Sequence, residues 1–113
     1  MSARVTSAVM ASALIRRVNQ EGGMAAVLAR GDPTAGAILL LLLEKGRNPR
    51  FFERGIGADG EPALVRAGPA ELIDDAAAHD YWSRRRSRDS DLWVIELDIA
   101  DGERFAAATM GVG

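Results

Sequence analysis

The run AILLLLL, residues 37–43, limits what this chain can fold into more than any other feature. A membrane-crossing helix needs about 20 apolar residues, so a run this short belongs inside a folded core. Turn-forming residues stand close on both sides, GDPT at 31–34 and EKGRNP at 44–49, and leave little room for a helix of ordinary length. A strand that is apolar at every position has two faces to bury. Residues 37–43 are therefore expected to form the central strand of a sheet that is covered on both sides.

The rest of the chain supplies material for that cover. Met10, Ala11, Leu14, Ile15 and Val18 recur at helical spacing, with Thr6 or Ser7 as N-cap and Gly22 and Gly23 as the stop. The N-terminal stretch MSARVTSAVMASALIRR has the outline of a signal peptide, with Arg4 ahead of the apolar run Ala8–Ile15. That run is alanine-rich, ends in Arg16 and Arg17 and lacks a cleavage pattern, so an amphipathic helix and a cytoplasmic location are expected instead.

Strands are expected at Met24–Arg30 and Ala35–Glu44, joined as a hairpin through the GDPT turn, where Pro33 is preset for the turn and Asp32 precedes it. Two more follow at Arg50–Gly55 and Ala63–Ala67. A second helix starts at an Asp74 or Asp75 cap, or earlier at Pro69, with Ala77, Ala78, Tyr81, Trp82 and Arg85 on one side. Its last turn holds Arg84, Arg85 and Arg86, where cations suit the helix dipole. The final strand, LWVIELDIA, places Trp93, Ile95, Leu97 and Ile99 on one face and Leu92, Val94, Glu96 and Asp98 on the other.

The expected fold is α/β (α+β): a single globular domain over residues 1–113, with a loose C-terminal tail from about 103. It has about five strands in a mostly antiparallel sheet and two helices, in the order helix, four strands in a meander, helix, strand. Three layers, α/β/α, cover both sheet faces; a dimer interface in place of one helix layer is the competing arrangement. On this reading Leu41→Asp abolishes folding, and deletion of residues 104–113 leaves the melting temperature unchanged.

Chemistry-bearing motifs are sparse. The absence of cysteine excludes disulfides, thiolate metal sites and cysteine nucleophiles. A net charge of −2 gives no bulk attraction to polyanions. GIGADG, residues 55–60, spells a dinucleotide-binding pattern, but a strand rather than a helix follows it, so Asp59-Gly60 reads as a hairpin turn. RGD at 30–32 reads as a strand end and turn. His79 is the only histidine and has no ligand partners in spacing, so no metal site is expected. The Asp89/Asp91 and Glu96/Asp98 pairs lack the glycine and distal glutamate of a calcium loop, and no serine sits in a nucleophile elbow.

The segment YWSRRRSR is the candidate contact region: Arg84, Arg85, Arg86 and Arg88 to grip an anion or partner, Tyr81 and Trp82 to stack. A solvated helix end near Asp80, Asp89 and Asp91 is the plainer account of the same residues. Arg30, Asp32 and Arg54 are secondary candidates around a hairpin cleft.

Three stretches, SALIRR (Ser12–Arg17), RGDPTAGAIL (Arg30–Leu39) and DSDLWVIEL (Asp89–Leu97), resemble recurrent segments of a family of short alphaproteobacterial proteins, domain of unknown function 1491. The resemblance runs over about residues 4 to 100. It departs at Ser90, where proline is usual, and near Val9 and Met10, where an aromatic is common. It implies a compact α/β domain with no assigned activity, cofactor or catalytic residues.

The functional expectation is a small non-catalytic interaction or binding module, homodimeric, with a protein partner or a second copy and with no cofactor or membrane association. A nucleotide or nucleic-acid binder using the arginine-rich helix end is the alternative, disfavoured by the acidic total. An enzyme of unrecognised type is the second alternative.

Overall fold

A computed structural model describes residues 5–72 and 74–112; Arg4 lies outside the described residues. The elements run α1 (Ser7–Gln20), β1 (Met24–Ala29), β2 (Ile38–Glu44), β3 (Arg47–Ile56), β4 (Pro62–Ala67), α2 (Asp75–Arg88), β5 (Trp93–Asp98) and α3 (Gly102–Met110). The caps follow the sequence: the Thr6 hydroxyl accepts from the Val9 amide and the Asp74 carboxylate from the Ala77 amide. α2 therefore begins at the aspartates and not at Pro69.

The five strands form one sheet in the order β1-β5-β2-β3-β4. β2 is its middle strand, as the unbroken apolar run requires. Leu40 and Leu42 point to one face, where α1 and α3 bring Ala11, Leu14, Val18, Ala106 and Met110. Leu39 and Leu41 point to the other, where Phe51, Leu92 and Val94 meet Ala78, Tyr81 and Trp82 of α2. The three layers are thus α1 and α3, the sheet, and α2. β5 shows the predicted split, Trp93, Ile95 and Leu97 on the α1 face and Leu92 and Val94 on the α2 face.

Two expectations are corrected. First, β1 and β2 are not a hairpin, and the four strands are not a simple meander. β5 lies between them, antiparallel to β1 and parallel to β2. The sheet is mixed, its other pairings being antiparallel. The physical reason is burial. β5 is apolar on both faces and needs an interior position, whereas MAAVLA is short, small and suited to an edge. Residues 30–37 then have to cross roughly 10 Å, two strand spacings, which a tight turn cannot do. Pro33 and Asp32 still turn the chain, with the Asp32 carboxylate accepting from the Thr34 and Ala35 amides at 3.1 and 2.8 Å.

Second, the segment expected to be a loose tail from about 103 is helix α3, which buries Ala106 and Met110 against α1. Its apolar residues are mostly alanine, so its periodic pattern is faint in the sequence. The Arg54 guanidinium donates to the Met110 carbonyl at 2.7 Å and holds its end to β3.

The turns behave as their residues dictate. β2 and β3 are joined through Lys45 and Gly46, both at positive φ (52° and 73°), the backbone of a tight hairpin turn. The Asp98 carboxylate accepts from both of their amides, at 2.7 and 2.8 Å, which offsets the cost of the left-handed lysine. GIGADG is the β3–β4 connection, with the Gly57 amide donating to the Glu61 carbonyl at 2.8 Å, and no helix opens after it.

Candidate functional site

The structure takes the arginine cluster apart. Arg85 lies over the sheet and donates two hydrogen bonds to Glu53 of β3, at 3.1 and 2.8 Å, and one to the Tyr81 hydroxyl at 2.9 Å. The hydrogen bond to Glu53 raises its pKa further above the ordinary arginine value. Tyr81 in turn stacks at a tilt on Phe51, with ring centroids 4.8 Å apart. Arg86 donates to the carbonyls of Arg30, Ser90 and Leu92. Both guanidinium groups are thus spent on holding α2 and its neighbouring loops. Arg84 and Arg88 are exposed, and Trp82 turns its ring toward the edge of His79, 4.7 Å away.

The secondary candidates are equally occupied. Arg30 lies over the Trp93 ring, 5.1 Å from its centroid. The Asp32 carbonyl accepts from the Trp93 indole at 2.8 Å, and the Asp32 amide donates to the Asp91 carbonyl at 3.0 Å. Arg54 faces α3, on the opposite side of the sheet from the arginines of α2. It cannot share a site with them.

What the structure does assemble is a structural junction at one end of the sheet. The amides of Ser7 and Ala8 donate to the Thr34 and Pro33 carbonyls at 3.1 and 2.9 Å, and the buried Ser7 hydroxyl donates to the Gly36 carbonyl at 2.6 Å. Any Cβ at Gly31 or Gly36 would collide with the Asp91 carbonyl, so the β1–β2 and α2–β5 connections touch backbone to backbone. The RGDPTAG segment thereby receives the start of α1, Arg86 and Trp93 together. The partners of Ser7, Glu53 and Trp93 are what the sequence does not show here, because they lie far away along the chain.

Arg86→Ala is therefore expected to lower stability by about 1–3 kcal/mol, because charge-assisted bonds to three carbonyls are lost. Arg84→Ala and Arg88→Ala should be close to neutral, and thermal melts of the three variants check the contrast.

Among the described residues, no group of three or more His, Asp or Glu side chains is placed to hold a metal ion. Two hollows among the described residues are open to solvent and each is lined by a single helix, one by Ser12, Ile15, Arg16, Asn19 and Gln20 and the other by His79, Asp80, Ser83, Arg84 and Ser87. Neither converges polar groups on an enclosed space, as catalytic clefts do. No described helix is long and apolar enough to cross a membrane.

One surface remains unexplained by the fold's own needs. β1 is an edge strand whose outer backbone groups have no neighbouring strand. Its sequence, MAAVLA, carries no charge and no proline, the usual means of blunting an edge. Met24 is 74 % exposed and Ala26 is exposed beside it. Next to them, across the strand pair, Glu96 stands on β5. Burial, and after it the negative charges of Asp98 and Asp75, push the Glu96 carboxyl above the ordinary value.

The sign of the consequence follows from linkage. The folded state holds this proton more tightly than the unfolded chain, so stability falls as pH rises from the ordinary carboxylate range through the raised value. Glu96→Gln should therefore melt higher than the parent at pH 7, and the gain should vanish in acid below the ordinary range. Melting curves across that window check it.

A five-stranded mixed sheet between two helices on one face and one on the other defines this chain as a small three-layer α+β domain. A family model described as "Protein of unknown function (DUF1491)" matches residues 5–107, and the chain belongs to that family. It is similar to a DUF1491 family protein from Caulobacter crescentus CB15 known from a crystal structure, with 29% identity, 90% of this chain and 94% of that chain covered and a TM-score of 0.75. An NMR structure of a DUF1491 family protein from the same organism gives 28% identity, coverage of 92% and 94%, and a TM-score of 0.72. A solution structure of a protein from A. tumefaciens gives 28% identity, coverage of 88% and 89%, and a TM-score of 0.67. No curated protein matches the chain.

Proposed function

We propose that this domain is a non-catalytic interaction module that engages another polypeptide through the β1 edge of its sheet. The observation that carries the reading is the edge itself: an uncharged strand, open on its outer side, with Met24 74 % exposed. An open strand edge recognises an extended segment by main-chain hydrogen bonds, and side chains on alternate positions add selectivity. The roles of Arg85, Arg86, Arg30, Asp32 and Arg54 support the reading from the other side, since each already serves a contact within the fold.

The test is selection of binders from a random-peptide display library, followed by mapping of the selected peptides on the protein's amide NMR spectrum. Extended peptides that shift the Met24–Ala29 amides are the expected result. Failure to obtain binders, or binders that map away from β1, would sink the reading. A single-stranded oligonucleotide is the companion probe. Shifts at Arg84 and Arg88 that weaken steeply with salt would put nucleic-acid binding in its place.

A further inference from the structure

The partner of this edge can be narrowed, on the reading that β1 is the docking surface. We infer that its occupant is an extended basic segment of another polypeptide, which lays a lysine or arginine across Ala26 toward Glu96 and Asp75.

The charge beside the edge selects that chemistry. Side chains alternate along β5, and Leu92 and Val94 pack beneath α2, so Glu96 and Asp98 lie on the same face of the sheet. They stand opposite Ala26 and Met24 of β1, one strand in from the open side. Asp75, in the first turn of α2, is near enough to act on Glu96. Three carboxylates therefore gather beside a strand, MAAVLA, that brings no charge of its own. Among the described residues the side-chain ion pair is Arg85 with Glu53, so none of these three acids is paired with a cation inside the fold. Asp98 is satisfied by the amides of Lys45 and Gly46. Glu96 is not relieved in that way: burial, and after it the charges of Asp98 and Asp75, hold its carboxyl above the ordinary value.

The geometry lets a partner supply the missing cation. A strand added outside β1 lies about 10 Å from β5, two strand spacings. Its residue opposite Ala26 has only a methyl group to cross, and the combined reach of a lysine or arginine and of Glu96 spans that gap. An acidic residue at the same place would add a fourth negative charge, which discriminates against acidic segments. The neighbouring positions set the rest of the segment. The residue opposite Met24 meets a side chain that is 74 % exposed and takes an apolar group. Residues opposite Ala25 and Val27 face the α1 side, where both already pack on the core, and β-branched groups extend it. Met24–Val27 suffices for this contact, ahead of the register irregularity between Val27 and Ala29.

The peptides selected on the parent protein supply the experiment, titrated at neutral pH and followed through the β1 amides. Those that map to β1 are expected to carry lysine or arginine at one fixed position. Changing that residue to glutamine should weaken binding about fivefold, and Glu96→Gln in the protein should do the same. The two changes together should cost no more than either alone, because they remove the same contact. Glu61→Gln, between β3 and β4 at the opposite edge of the sheet, removes an equal charge and should leave the affinity unchanged. A circular dichroism melt verifies that Glu96→Gln is folded, and the peptide substitution reads the contact with the protein unaltered.

Peptides that bind β1 without a basic residue, or whose affinity ignores both substitutions, would overturn the inference and leave the edge as the docking surface. Equal losses from Glu96→Gln and Glu61→Gln would overturn it too, since they would mean bulk attraction only. If no peptide maps to β1, the edge reading falls and this inference with it.

Discussion

Truncation after Asp101 lowers the melting temperature of this domain by more than about 10 °C. The segment removed carries Ala106 at 0 % exposure and Met110 at 6 %, both in the core shared with α1. Phe105 is half-buried, and the Arg17 guanidinium lies over its ring, 5.5 Å from the centroid. Returning these side chains to water costs about 3 kcal/mol at the usual value of buried apolar surface. The loss does not end there. Gly102 packs against Leu42, and the Met110 carbonyl is the acceptor for Arg54, so truncation uncovers part of the α1 face and removes the acceptor of that guanidinium. Calorimetry of the truncated and parent chains measures the effect. An unchanged melting temperature would show that α3 does not dock, and would return the segment to the loose tail that its sequence suggests.

Leu41→Asp leaves no cooperatively folded protein. Leu41 is 5 % exposed in the middle strand, paired with Phe51 on β3 and with Glu96 on β5. An aspartate there would sit among Leu39, Phe51 and Val94, under α2, where the Arg85 guanidinium on that face is already held by Glu53. Its nearest polar neighbour on that face is Glu96, whose carboxyl is already pushed up by burial and by Asp98. An unpaired buried charge costs several kcal/mol, against the roughly 5–15 kcal/mol that holds a domain together. Loss of chemical-shift dispersion and of a sigmoidal melt is the expected readout. A mutant that still melts cooperatively would mean that α2 does not seal this face of the sheet.

These two variants also mark where sequence reasoning succeeds and where it stops. Leu41 was legible as buried because the run 37–43 has no polar position at all, and a run that uniform can only be interior. The same logic placed Leu92–Leu97 in the sheet with the right faces, and it found the caps at Thr6 and Asp74, where the pairing is three residues away. α3 was missed because FAAATM offers little contrast between its faces; alanine is apolar enough to be buried and small enough to be exposed. The segment YWSRRRSR shows a different gap. Composition shows that Arg85 and Arg86 are cations, but not that Glu53 and the carbonyls of Arg30, Ser90 and Leu92 are waiting for them.

Local pattern alone therefore determined the five strands and the first two helices of this chain, and which faces of β2 and β5 are buried, because each of those is decided within a few residues by sterics, caps and apolar spacing. Strand order belonged to the tertiary structure. β5 goes between β1 and β2 because it has two apolar faces to cover and β1 does not, and that competition for the interior is settled only when all five strands are present. The placing of β1 at the edge comes from the same contest.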